Sequence, residues 1–223
     1  MSIYQEAIPY DEFNPMKDKI AVMLRAFTIR RGVGLGDRKY SEPYFICIAI
    51  PESGNAKLDK VELSTRYHPK TRRGVKQEMA GEGIQIYGPA NPGEYLAFSI
   101  LVMESDEDVR KAGETIEELV KSNFAKALGK VVAGVATPTA AVALEVAERL
   151  VREVARLMSK DKDDELFYLP GSLLRDVLGE GKVPYQVQEV LTRSNDHVEL
   201  EIQVLPIDGD TKSRKKSRTV KLK

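Results

Sequence analysis

The chain has 223 residues, with 34 Lys and Arg against 34 Asp and Glu, and a single cysteine. That length suits one large domain or one domain carrying an insertion, and it can bury a core. Balanced charge excludes a global field steering the whole chain to nucleic acid, and one thiol excludes an intrachain disulfide or a cysteine zinc site.

The opening stretch, 1–18, is polar and spaced by Pro9 and Pro15, and reads as an arm. It has no basic region followed by an apolar one, so no secretory signal is expected and the expected compartment is the cytoplasm. Ile20 to Arg31, IAVMLRAFTIRR, is rich in branched and aromatic residues and predicts a strand. Tyr44 to Pro51, YFICIAIP, predicts a central strand, with Cys47 as a buried structural thiol. Lys60 to His68 alternates, with Val61, Leu63 and Thr65 on one face, as a half-exposed strand does. Gly83 to Gly88 predicts a short strand, PANPGE a turn, and Tyr95 to Glu104 a long strand.

Helical spacing follows. Ser105 and the acids after it mark a helix start. Val109, Ala112, Ile116, Leu119 and later apolar residues then recur in steps of three and four. Thr137-Pro138 reads as the start of a second helix whose stripe is Ala143, Ala147, Leu150, Val151, Val154 and Met158. The charge-free run Val131 to Leu144 is therefore the tip of a helical hairpin. Each arm is about seven residues, roughly 10 Å long. Neither crosses a hydrocarbon core of about 30 Å, so no transmembrane segment is expected. Pro170 to Gly179, PGSLLRDVLG, reads as a short third helix. Gln186 to Arg193 and His197 to Pro206 flank Ser194-Asn195-Asp196 as a hairpin. RTVKLK at the C-terminal end could add an edge strand.

The candidate sites are surface features. The hairpin tip, with Val131, Val132, Val135, Ala136, Ala140 and Leu144, is either packed on the protein itself or a contact for a partner or another copy. Glycines 32, 34 and 36 follow a strand but precede no helix, so they suit a hairpin loop better than a phosphate loop. Arg66, Lys70, Arg72, Arg73 and Lys76 form a basic loop with Tyr67 and His68. Arg214, Lys215 and Lys216 lie in a basic tail. Both are anion-binding candidates beside the plainer reading of solvated charge. His68 and His197 alone, with no carboxylate spacing, argue against a zinc or iron centre.

YLAFSILVMESDED runs from a long strand into alternating acids. Within an antiparallel sandwich it resembles a C2 domain, whose strand-end loops bind calcium through aspartates and dock on membranes. The resemblance implies Asp106 and Asp108 as calcium ligands and anionic lipid as a partner. Against it, these acids also open a helix, Asp37 and Asp196 are isolated, and calcium takes six to eight oxygens. No catalytic or nucleotide-binding motif is found.

The expected fold is α+β: an antiparallel β-sandwich of about seven to nine strands with an inserted helical hairpin. Its divisions are an arm at 1–18, one domain at 19–206 with a helical insertion at 105–160, and a basic tail at 207–223. The expected function is a non-enzymatic interaction or assembly protein, soluble, self-associating or bound to another protein, with no cofactor. A C2-like peripheral membrane module, calcium-dependent or not, is the alternative, and an enzyme of unrecognised type the next. Balanced charge argues against nucleic acid.

Overall fold

A computed structural model describes residues 7–32, 39–52, 62–68, 71–79, 83–104, 139–158, 164–176, 183–187 and 190–209. Its strands are β1 (Lys19–Ile29), β2 (Tyr40–Ser41), β3 (Pro43–Pro51), β4 (Glu62–Tyr67), β5 (Thr71–Arg72), β6 (Gln77–Glu78), β7 (Ile84–Ala90), β8 (Tyr95–Glu104), β9 (Asp164–Leu174), β10 (Val190–Ser194) and β11 (Val198–Ile207). One α-helix, α1 (Ala140–Met158), is found among the described residues. The protein is β-rich α+β, and every pairing among the described strands is antiparallel.

Two larger sheets form. One runs β10-β11-β1, with β6 and β7 sharing the far side of β1; the other runs β4-β3-β8-β9. Strand pairs β2 and β5 form a third, two-stranded sheet. Alternation along β8 explains the layering. Leu96, Phe98, Ile100 and Val102 join one apolar cluster with Ile20, Val22 and Leu24 of β1 and Leu200, Ile202 and Val204 of β11. Tyr95, Ala97, Leu101 and Met103 point the other way and pack beneath α1. A strand buried on both faces reads as a near-continuous apolar run; all ten residues of β8 are buried, and only Ser99 and Glu104 among them are polar.

Helix α1 begins after Thr139, whose hydroxyl accepts the Val142 backbone N–H at 3.4 Å; Thr139 is the N-cap. The expected cap at Thr137-Pro138 lies outside the described residues. Ala143, Val146, Ala147, Leu150 and Val151 are buried against the sheet, in the steps of three and four that make one helical stripe. Glu145–Arg149 and Glu148–Arg152 pair on the wet face at 2.6 and 2.7 Å. Of the expected helical hairpin, the second arm is this helix; the first arm, 105–138, lies outside the described residues. No described helix is long and apolar enough to cross a membrane, which says nothing of strands.

The third helix expected at Pro170 to Gly179 is corrected: residues to Leu174 belong to β9. Among the described residues β9 pairs on one side only, with β8, and an edge strand tolerates a proline that donates no ladder bond. Gly171 lies directly opposite Phe98. A Cβ there would run into the Phe98 ring, so the glycine is a packing requirement of the strand and not a helix end. The C-terminal hairpin forms, but β10 starts at Val190, not Gln186. Before it, Tyr185 and Gln186 take positive φ of 51° and 56° in a tight turn. Tyr185 is buried and its hydroxyl donates to the Gly93 carbonyl. Asn195 Oδ1 closes the hairpin turn by accepting the N–H groups of His197 and Val198, each at 2.8 Å.

Part of the N-terminal stretch is tied down. Ala7 bridges Ile207, and Asn91 Nδ2 donates to the carbonyls of Pro15 and Asp18 at 3.1 and 2.7 Å.

Candidate functional site

One end of the molecule gathers charge from several segments. β1 leaves the sheet there at Ile29, and the backbone N–H groups of Arg30 and Arg31 donate to the His197 carbonyl at 2.7 and 3.2 Å. β2 and β5 pair Tyr40 with Arg72 and Ser41 with Thr71. The turn after β5 is pinned by Arg73 N–H to the Lys39 carbonyl at 3.1 Å and Gly74 N–H to the Ile29 carbonyl at 2.8 Å. β4 ends at the same place, where His68 N–H donates to the Pro43 carbonyl at 2.9 Å. Residues distant in sequence are thereby fixed within one patch by backbone hydrogen bonds.

The cations of this end are not equivalent. Arg73 turns inward: its Nε donates to Ser41 Oγ at 2.8 Å and its guanidinium meets Glu104 at 3.4 Å. Its side chain is only 18% exposed, so the pair is a tie rather than a free charge. Gly32 makes room for it, because a Cβ at that position would overlap the guanidinium. Lys76 and Arg30 reach over the outer face of the first sheet to Glu201, at 2.7 Å, and Glu199. Arg31, Lys39, Arg66 and Arg72 are exposed, and none forms an ion pair with a described acid. Tyr40 and Val75 stand among them, 55% and 42% exposed.

Acids stand near this end as well: Asp164 and Glu165 open β9, and in the β10–β11 turn Asp196 precedes His197, whose carbonyl accepts the Arg31 N–H. A small cavity of about 130 Å³ between β9 and β10 is lined by Phe98, Gly171, Gln186, Leu191, Arg193 and Ile202 among others.

His68 forms the root of the basic loop. Its ring packs edge-to-face between Phe27 and Phe45, with centroids 5.0 and 5.7 Å away. Burial first, then the nearby Arg66 charge, pulls its pKa from 6.5 down to about 4, because both disfavour the imidazolium. Burial pushes the Cys47 thiol up to about 12; it is fully enclosed in the apolar cluster shared by the two larger sheets.

The structure brings Arg66, Arg72, Arg73 and Lys76 to this end, with Arg73 and Lys76 paired. Lys70, Arg214, Lys215 and Lys216 lie outside the described residues. So do Val131, Val132, Val135 and Ala136 of the tip and the calcium candidates Asp106 and Asp108. Ala140 and Leu144 are half-buried against the sheet beneath α1. His197 Nδ1 lies 3.0 Å from the Arg31 carbonyl. Among the described residues, no group of three or more His, Cys, Asp or Glu is placed to hold a metal ion. Sequence reasoning missed Lys39, Tyr40 and Val75. A cation and an aromatic side by side in DRKYSEP were the available signal, but nothing local joins them to a loop some thirty residues on.

No protein-family model matches the chain, and no curated protein is similar to it in sequence.

Proposed function

We propose that the protein is a non-enzymatic interaction or assembly protein, and that its cationic end is the principal contact. The two larger sheets, sharing one apolar cluster, are read as a sandwich that serves as the scaffold. The observation that carries the reading is the convergence of Arg31, Lys39, Arg66 and Arg72, exposed and without described acidic partners, at one place. Convergent, unneutralised Arg and Lys suit an anionic surface, since guanidinium groups hold carboxylate or phosphate in pairs of hydrogen bonds. The hairpin tip is the second contact in this reading, through the exposed parts of Ala140 and Leu144, toward a partner or another copy.

The test compares two substitutions in the full chain. Arg66→Glu with Arg72→Glu should abolish retention on immobilised heparin at about physiological ionic strength, where exposed charges still act over about 8 Å. Ala140→Glu should leave that retention intact and lower the molar mass measured by light scattering if the tip assembles copies. Unchanged retention of the double reversal would remove the cationic end as a contact.

Exposed Tyr40 and Val75 favour a second reading, a peripheral membrane module. An aromatic and an apolar side chain set among cations suit the headgroup layer of an anionic bilayer. Asp106 and Asp108 would add calcium dependence. Sedimentation with phosphatidylserine vesicles, with and without calcium, decides it; absence of binding in both conditions excludes the reading.

A further inference from the structure

The imidazole of His68 occupies an unusual position for a titratable group. It sits where β4 hands over to the cationic segment, and its own carbonyl accepts the Thr71 hydroxyl at 3.3 Å. Its Nε2 is shielded from water and has no hydrogen-bond partner among the described residues. The ring packs against the phenyl rings of Phe27 on β1 and Phe45 on β3, while the backbone of His68 is held by the Pro43 carbonyl on β3 and the Thr71 hydroxyl on β5. The charged group acting on the ring is Arg66, on its own strand. No described carboxylate pairs with it. A neutral ring tolerates this cage with one unmet nitrogen. His68 is half-buried, and an imidazolium would set a charge between two phenyl rings, beside another cation and with no described acid to pair it, which disfavours the protonated form.

We propose that His68 is an acid-sensitive latch on the cationic end. With the ring neutral, Phe27 and Phe45 hold it, and β5 and the turn through Val75 stay bound to β2 and β1. A proton taken from solvent onto the ring expels it into water, and the segment carrying Arg72, Arg73 and Lys76 is released. The sign follows from the shift: the open form binds the proton more readily, so the closed form is fully stable above 6.5 and weakens as pH falls toward about 4. The regulatory meaning rests on the cationic end being the contact, but the latch does not. Its test uses no ligand, so the two readings fail separately.

Amide hydrogen exchange supplies the test. The Arg73 and Gly74 amides, bonded to Lys39 and Ile29, report the latch; β8 amides are the internal reference. In the unmodified protein, protection of the two latch amides relative to β8 should fall by about tenfold per pH unit between 6.5 and 4. In His68→Phe, which fills the cage and cannot titrate, the ratio should not change with pH. A constant ratio in the unmodified protein, or the same fall in His68→Phe, overturns the proposal. Should His68→Phe not fold, NMR titration of the imidazole in the unmodified chain decides. A midpoint well below 6.5, moving together with the Arg73 and Gly74 amides, supports the latch. An ordinary midpoint near 6.5 with static amides overturns it.

Discussion

β8 and β11 are each ten residues long and each lies between two other strands, yet they are built differently. β8, YLAFSILVME, is buried at every position. β11, VELEIQVLPI, alternates buried and half-exposed residues from Val198 to Gln203. The difference lies in what covers the second face. Helix α1 covers β8, so Tyr95, Ala97, Leu101 and Met103 are apolar. Over that part of β11 the outer face meets solvent, so Glu199 and Glu201 stand there and pair with Arg30 and Lys76. A strand's composition therefore reports the number of layers around it, and its neighbours within the sheet matter less.

Three substitutions break or sharpen this contrast. The largest effect is expected from Phe98→Ala on β8. It removes a buried ring that fills the shared apolar cluster and covers Gly171, and should lower unfolding free energy by about 3–5 kcal/mol in denaturant titration. Leu150→Ala, in the layer that sets β8 apart, should lower it by about 2–3 kcal/mol, the low end for a leucine truncation, because Leu150 keeps 6% of its surface exposed. Cys47 supplies the sharper readout there. It faces the other side of the sheet from α1, and its thiol is buried with a pKa near 12. If the two faces of the sheet unfold together, Leu150→Ala accelerates Cys47 labelling in step with the lost stability. Unchanged labelling would mean that the helix detaches alone. The smallest effect belongs to β11: Glu201→Gln breaks an exposed pair with Lys76 and should change stability by less than about 1 kcal/mol, less still in high salt. A loss as large as that of Leu150→Ala would refute the view of this face as a wet one.

Much of the strand pattern could be read from residues alone. The runs at Ile20, Tyr44 and Tyr95 are dense enough in branched and aromatic residues to announce themselves, and the spacing of Ala143, Ala147, Leu150 and Val151 identified the buried stripe of α1. Reading failed where local signals carry two meanings. Pro170 and Gly171 resemble a helix boundary, but in β9 the proline sits on a free edge and the glycine makes room for a ring from the neighbouring strand. β10 starts later than its residues suggest, because Tyr185, buried and bonded to Gly93, and Gln186 take a positive φ that neither residue type signals. The basic loop was visible as a cluster of cations. Which of its members are neutralised was not.

The sequence by itself determined the long strands β1, β3, β8 and β11 and the buried stripe of α1, because side-chain periodicity is a local property of the backbone. Only the tertiary structure decided that Arg31 and Lys39 join Arg66 and Arg72 while Arg73 is spent on Glu104, and that His68 lies between two phenyl rings. Those neighbours come from separate strands, and their meeting depends on pairing and register that the whole apolar core selects.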